Sequence, residues 1–172
     1  MSEEILELIN LSISSFIQNE HALLKRNLNE QLLSARLAHY LSLNFNKYDV
    51  DAEYNGDINK PNDRKALDIA SHEIELIGKK ANANDRYKIT PDIIIHIRGT
   101  NEENLVVIEV KKDVSAELNK KFDLIKLRHL TTNYSGNHYN YKLGIAIVFG
   151  TGENAGFLET KYFSNGNEVH AR

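Results

Sequence analysis

The stretch that decides the fold is ITPDIIIHIRGTNEENLVVIEVKK, residues 89–112. In its first part Ile93, Ile95 and Ile97 alternate with other residues, and its last part, 105–111, is a β-branched apolar run. Between the two parts lies a polar segment that begins at Gly99 and is rich in turn-forming residues. Two β-prone runs on either side of such a segment predict a β-hairpin.

Three charged side chains gather at one end of this hairpin. Glu109 and Lys111 are two residues apart on a strand, so they share a face, while Val110 points to the opposite face. Asp92 begins the partner strand and is placed to meet them. The two carboxylates and the backbone carbonyl of Val110 are oxygen ligands suited to Mg²⁺ or Mn²⁺. A lysine beside the metal can orient or help deprotonate water, or stabilise charge in a phosphoryl transition state.

Two helices are predicted ahead of the hairpin. Apolar residues three and four apart over 3–18 indicate an amphipathic helix that packs on the core, or else against a second copy of the protein. A second helix, over about 28–43, carries an apolar stripe that should face the sheet. Glu30 lies at the head of this stripe, and two interpretations stay open. It completes a capping box with Asn27 as the N-cap, or it points to the charged end of the hairpin.

The rest of the chain predicts an α/β protein with helices packed on a mixed sheet. Alternating apolar residues predict a strand over 48–55, and the apolar run 142–150 predicts a strand buried on both faces. A turn after 150 leads into a last segment over 157–163, which is a tail to this order. Residues 61–63 predict a loop, and 67–77 fit either a helix or a strand.

A helix is also predicted over 114–133, directly after the hairpin, and a polar loop over 79–88. The predicted helix has lysines and an arginine on its outer side, Lys126 among them. The apolar residues expected on its buried side are Leu118, Phe122, Ile125 and Leu130.

The composition limits what the protein can be. A chain of 172 residues that is 41% hydrophobic suits one domain over 1–172, with a helical extension over 1–20 and a core over 27–150. The lack of cysteine excludes disulfides and thiolate metal sites. An acidic N-terminus and the absence of a long apolar run lead us to expect a soluble, cytoplasmic protein with no membrane contact.

The pair Pro91-Asp92, followed by Glu109-Val110-Lys111 with the two acids seventeen positions apart, forms a recognisable pattern. It resembles the PD-(D/E)XK motif of the restriction-endonuclease-like nuclease superfamily. The predicted order of helix, strands, helix and strand resembles the αβββαβ core of that superfamily, to which the first helix of this chain would be an addition.

The resemblance implies a role for each residue of the pattern. In this superfamily the acids of the motif bind a divalent metal, here Asp92 and Glu109, and the lysine, here Lys111, assists the hydrolytic water. Many members add a glutamate from the first core helix, and Glu30 lies where that residue is expected. The resemblance therefore favours a metal-side role for Glu30 over a capping role.

Three further residues are candidates for contact with nucleic acid. His96 and Arg98 share strand parity with Asp92, so they either line the site or cap the polar end of the hairpin. Lys126 lies on the helix after the motif, which in the superfamily can approach DNA.

We expect a metal-dependent nuclease that hydrolyses phosphodiester bonds, above all in DNA, with Mg²⁺ or Mn²⁺ as cofactor. The alternative is a non-catalytic nucleic-acid-binding or regulatory module of the same fold. A simple ion pair between Lys111 and a carboxylate at the sheet edge would also explain the charges. A net charge of −3 shows no overall basic character, so a homodimer or a partner subunit would help to hold a substrate.

Overall fold

The predicted hairpin lies near the middle of a six-stranded mixed sheet, which confirms the α/β class. A computed structural model describes residues 3–57, 64–134 and 137–170, so the loop predicted at 61–63 lies outside the described residues. The strands are β1 (Asp49–Ala52), β2 (Ala66–Asp68), β3 (Arg86–Lys88), β4 (Ile93–His96), β5 (Val106–Lys112), β6 (Leu143–Phe149), β7 (Leu158–Ser164) and β8 (Asn167–Val169). The helices are α1 (Glu3–Asn19), α2 (His21–Lys25), α3 (Glu30–Asn44), α4 (Ser71–Leu76) and α5 (Glu117–Leu130), with a short 3₁₀ turn at Gly152–Asn154.

The strand order is β1-β4-β5-β6-β7-β8. β5 and β6 are parallel, and the other neighbours in this sheet are antiparallel. Within the hairpin Ile93 pairs with Ile108 and Ile95 with Val106. β2 and β3 form a separate two-stranded ribbon. The ambiguous segment 67–77 is thus part strand and part helix, and the polar loop predicted over 79–88 ends in a strand.

The alternation of apolar residues in β4 and β5 assigns the two faces of the sheet to different layers. Ile93, Ile95 and Ile108 pack with α1 and α3. Ile94 and Val107 point the opposite way and pack with α5, α4 and the β2–β3 ribbon. Because both faces are covered, β4 and β5 are buried over most of their length. Within β5, the partly exposed residues are Lys111 and Lys112 at its charged end.

Helix α1 packs on the core of its own chain, the first of the two roles predicted for it. Leu6, Ile9, Ile13 and Phe16 are buried. The Phe16 ring lies 4.9 Å from the Phe149 ring, centroid to centroid, at the end of β6. Among the described residues no helix is long and apolar enough to cross a membrane.

Helix α3 begins two residues later than the predicted helix, and the predicted capping box is wrong. The N-cap is Asn29, whose side chain accepts a hydrogen bond from the Leu32 amide at 2.8 Å. Asn27 instead has a φ of +52° and accepts a hydrogen bond from Lys112 at 3.0 Å. Glu30 is therefore the first residue of the helix, and its carboxylate is not tied back to an N-cap amide as a capping box requires.

Helix α5 corrects two predictions about which side chains are buried. Its C-terminal half lies close to the sheet over Gly144, where a Cβ atom would come within 3.0 Å of Thr131 Cγ2. Leu118, in the N-terminal half, is exposed and not buried. Lys126 was placed on the outer side of the helix, yet it is buried, because its ammonium group is drawn to carboxylates on β5 and α5.

Candidate active site

The carboxyl end of β5 brings together side chains from four elements. Lys111 lies at the centre of this cluster. Its Nζ atom is 3.1 Å from Asp123 Oδ2 on α5, 3.3 Å from Glu30 Oε2 on α3 and 3.8 Å from Asp92 Oδ2 before β4. Glu30, Asp92 and Lys111, three of the predicted site residues, are thus close together. The fourth, Glu109, is linked to them through a second lysine.

Lys126 is that second lysine, and it forms the buried half of the cluster. Its Nζ atom is 2.8 Å from Glu109 Oε2 and 2.7 Å from Asp123 Oδ1. Asp123 therefore bridges the two lysines. The Glu109 side chain is 1% exposed, and its Oε1 atom has no hydrogen-bond partner in the part of the chain that the structure describes.

Backbone and side-chain hydrogen bonds hold the acids in place. Asp92 Oδ2 accepts the Val110 amide at 2.7 Å, which ties the start of β4 to the end of β5. The Ser115 hydroxyl, in the loop after β5, donates to Glu30. The Val110 carbonyl, a predicted ligand, accepts a hydrogen bond from the Lys111 ammonium at 3.0 Å. Each predicted ligand thus already faces a cationic or donor group.

The cluster carries more negative than positive charge. Four carboxylates and two ammonium groups leave a formal excess of two negative charges when all are ionised. Lys126 is buried, and its pKa is raised despite burial because Glu109 and Asp123 stabilise its charge. The pKa of Lys111 is likewise raised against the effect of burial, by Asp123, Asp92 and Glu30. Both lysines are held as cations.

Burial and mutual repulsion disfavour the charged forms of the inner acids. Burial raises the pKa of Asp92. Burial also raises the pKa of Glu109, to about 8, and repulsion from Asp123 and Asp92 acts in the same direction against the attraction of Lys126. Glu30 is the most exposed of the four carboxylates, and Ser115 and Lys111 hold its pKa below its ordinary value although burial opposes this. The two lysines therefore do not fully offset the effect of burial on the pKa values of Asp92 and Glu109.

The donors suit a divalent cation in type and charge, but their present positions do not form a metal site. Carboxylates with a free oxygen and an excess of two negative charges are what Mg²⁺ or Mn²⁺ would neutralise. No three histidine, aspartate or glutamate side chains among the described residues already stand in an arrangement that would hold a metal ion. The reason lies in the lysines, whose ammonium groups contact Glu30, Asp92, Glu109 and Asp123. To bind a metal, the acids must exchange part of these contacts.

His96 and Arg98 lie away from the cluster. His96 is four residues beyond Asp92 along the strand, which corresponds to about 13 Å. Its Nε2 atom is 2.9 Å from Asp51 Oδ2, and the side chain is 4% exposed. Arg98 pairs with Asp51 and, at 3.3 Å, with Asp49. His96 and Arg98 therefore do not line the site. Both residues cap the polar end of the hairpin, the second of the two predicted roles.

Asp123 is the residue of the cluster that sequence reasoning missed as a site residue. It is buried and contacts both lysines. One signal was present, because Asp123 and Lys126 are three residues apart and therefore share a helix face with the apolar Leu127 and Leu130 nearby. Charges on an apolar helix face indicate a buried ion pair. Ser115 gave no such signal, since a serine in a loop is common.

We compared the chain with protein families, curated proteins and solved structures. No protein-family model, no curated protein and no solved structure matches the chain.

Proposed function

We propose that the protein is a Mg²⁺- or Mn²⁺-dependent nuclease with a restriction-endonuclease-like core, acting above all on DNA. Apart from β2, α4 and β3, which are inserted between β1 and β4, the chain order α3, β1, β4, β5, α5, β6 supports the αβββαβ assignment. So does the sheet, in which β1, β4 and β5 are antiparallel neighbours and β6 lies parallel beside β5. In this arrangement Asp92 and Glu109 lie on neighbouring strands at the same end of the sheet.

The observation that carries the proposal is the cluster of four carboxylates around two lysines, with one carboxylate oxygen of buried Glu109 left without a partner. A purely structural network would be expected to satisfy its buried acids, because a buried polar group without a hydrogen-bond partner is costly whether or not it is charged. An excess of carboxylate is costly to stability and useful for holding a cation. The simple ion pair at the sheet edge does not account for it.

Asp92 and Glu109 would hold the metal, with Glu30 and the Val110 carbonyl completing its oxygen ligands. When bound, the metal supplies a Lewis acid that polarises the phosphodiester and makes a water more acidic. Lys111, held between acids from three elements, orients a water and stabilises negative charge on the phosphoryl oxygens.

In this proposal Lys126 and Asp123 act through other residues of the cluster. The Lys126 ammonium opposes the rise that burial causes in the Glu109 pKa, and it holds the Glu109 carboxyl group in place at 2.8 Å. Asp123 fixes the two ammonium groups relative to each other. Neither residue needs to touch the substrate. The burial of Lys126 makes it a positioning residue and a poor candidate for the nucleic-acid contact suggested by its sequence position.

A binding or regulatory module of the same fold is the second candidate function. The observation that favours it is that both lysines already pair with the acids, which gives a network that persists without metal. Such a module would bind nucleic acid without turnover, alone, as a homodimer or with a partner subunit.

Incubation with candidate substrates tests the function and separates the two candidates. We expect the protein to cleave supercoiled DNA, single-stranded DNA or RNA in Mg²⁺ or Mn²⁺, and EDTA to stop it. The substitution Lys111→Ala should lower the rate by about 10²-fold or more, the usual contribution of a general acid–base group. The matched control is Lys142→Ala, since Lys142 is 57% exposed and pairs only at 3.7 Å with Glu103.

Two results would count against the nuclease. Cleavage that survives in Lys111→Ala would indicate a contaminating enzyme. Metal-dependent binding of nucleic acid without cleavage, in protein that is folded, would favour the module.

A further inference from the structure

A cavity of about 280 Å³ opens directly beside the acidic cluster. It lies between the N-terminal half of α5 and the strands β6 and β7. The opposite end of α5 packs closely on β6, where a Cβ atom at Gly144 would lie 3.3 Å from Leu127 Cδ2. Glu109 and Lys111 form part of its wall. Whatever occupies the cavity is therefore adjacent to the reacting groups.

The walls of the cavity are apolar and its mouth is charged. Leu124 lines it from the helix, and Ala146 and Val148 line it from β6. Lys161 pairs across the strands with Ala146, so its side chain lies on the same face, and it is 40% exposed. Lys121, on α5, also lines the cavity and is exposed. Glu117 and Glu159 also line the cavity, at 2.8 Å from Lys120 and 4.0 Å from Lys161. An apolar slot whose lysines can exchange these exposed carboxylates for a phosphate suits a flat ring attached to a phosphate.

We propose that this cavity receives one unstacked nucleobase of the substrate strand, next to the phosphodiester at Lys111. The inference rests on the proposed function and specifies its substrate. A base that is paired within a duplex cannot enter a slot between a helix and a sheet, so it must first leave the stack. The protein therefore acts on single strands, frayed ends or distorted duplexes in preference to intact duplex. Lys121 and Lys161 contact the backbone phosphates that flank the base.

The type of contact predicts little choice among the four bases. No aromatic side chain is among the described residues that line the cavity, so the base is held by aliphatic surface and not by ring stacking. Contact of this kind depends on the area removed from water, which all bases provide. The preference is for the presence of a base, whatever its identity.

A pair of labelled single strands tests this inference. One carries normal nucleotides, and the other has the same length but abasic sugars throughout. We expect the wild-type protein in Mn²⁺ to cleave the normal strand about tenfold faster than the abasic strand, the ratio that corresponds to removing about 55 Å² of apolar surface from water. Ala146→Leu fills the floor of the cavity and should bring this ratio close to one.

The control variant is Ala35→Leu, the same chemical change at an exposed position of α3. It should keep the wild-type ratio. If Ala146→Leu does not fold, Leu124→Ala removes one wall of the cavity and should lower the ratio in the same way. A wild-type ratio of one, or an unchanged ratio in the folded cavity variants, would overturn the base site and leave the nuclease intact. Failure of the wild type to cleave either strand would overturn the proposed function and this inference with it.

Discussion

Asp92→Asn should abolish metal-dependent cleavage while the protein stays folded. The substitution keeps the shape of the side chain but removes the charge of an acid that accepts the Val110 amide and lies 3.8 Å from Lys111. A metal ligand contributes several kcal/mol to transition-state stabilisation, so we expect a loss of about 10³-fold in rate. Because burial already raises the pKa of Asp92, removing its charge should not destabilise the metal-free protein strongly. Initial rates in Mg²⁺ and urea unfolding midpoints measure the two effects.

The matched control is Asp49→Asn, which removes an acid from β1 at the opposite end of the hairpin. Asp49 accepts the Arg98 amide at 3.0 Å and is remote from the cluster. Its variant should retain nearly the full rate. Equal losses in the two variants would mean that the hairpin as a whole, and not the acid at its charged end, supports activity.

Lys126→Met should destabilise the protein by about 3–5 kcal/mol, because it leaves buried acids without their cation. Lys126 contacts Glu109 at 2.8 Å and Asp123 at 2.7 Å, and methionine has similar length but no charge. The free energy of unfolding from urea titration measures the loss. The same substitution at Lys142, which pairs at 3.7 Å on the surface, should cost less than about 0.5 kcal/mol.

A second substitution distinguishes the buried charge from a simple loss of packing. Glu109→Gln in the Lys126→Met background removes the unpaired acid and should restore part of the lost stability. Neighbouring residues of one network couple by about 0.5–3 kcal/mol. Strictly additive losses in the double variant would show that Lys126 serves as packing and that Glu109 does not depend on it.

The hairpin and its three charges were predictable because they depend on local rules. Side chains two apart on a strand share a face, and this alone puts Glu109 and Lys111 together. The antiparallel return of the chain then brings Asp92 to the same end. The role of Glu30 was harder to predict, because an apolar stripe shows which face of a helix is buried but not the residue at which the helix begins. The N-cap is Asn29 and not Asn27, a difference that neighbouring asparagines in the sequence do not reveal.

The remaining site features depend on how α5 docks against the sheet. Gly144 lets the C-terminal end of the helix approach β6 closely, whereas Leu118 near the other end is exposed and the cavity lies between that end and the sheet. The same docking draws Lys126 inward to Glu109. Periodicity along α5 describes the helix alone and carries no information about its distance from a strand formed by distant residues. The pairing of Lys126 and the cavity could therefore not be predicted from the sequence.

A Mg²⁺ titration that records cleavage rate and Tm in the same solutions tests the central claim most directly. If the carboxylates hold the metal, Mg²⁺ at about a hundred times its Kd should stabilise the fold by about 2.7 kcal/mol. For a chain of this size that raises Tm by roughly 5–10 °C. We expect cleavage of a labelled strand to rise and saturate over the same Mg²⁺ range, and EDTA to reverse both changes. Saturation of Tm without any cleavage, or cleavage that does not depend on metal, would contradict it.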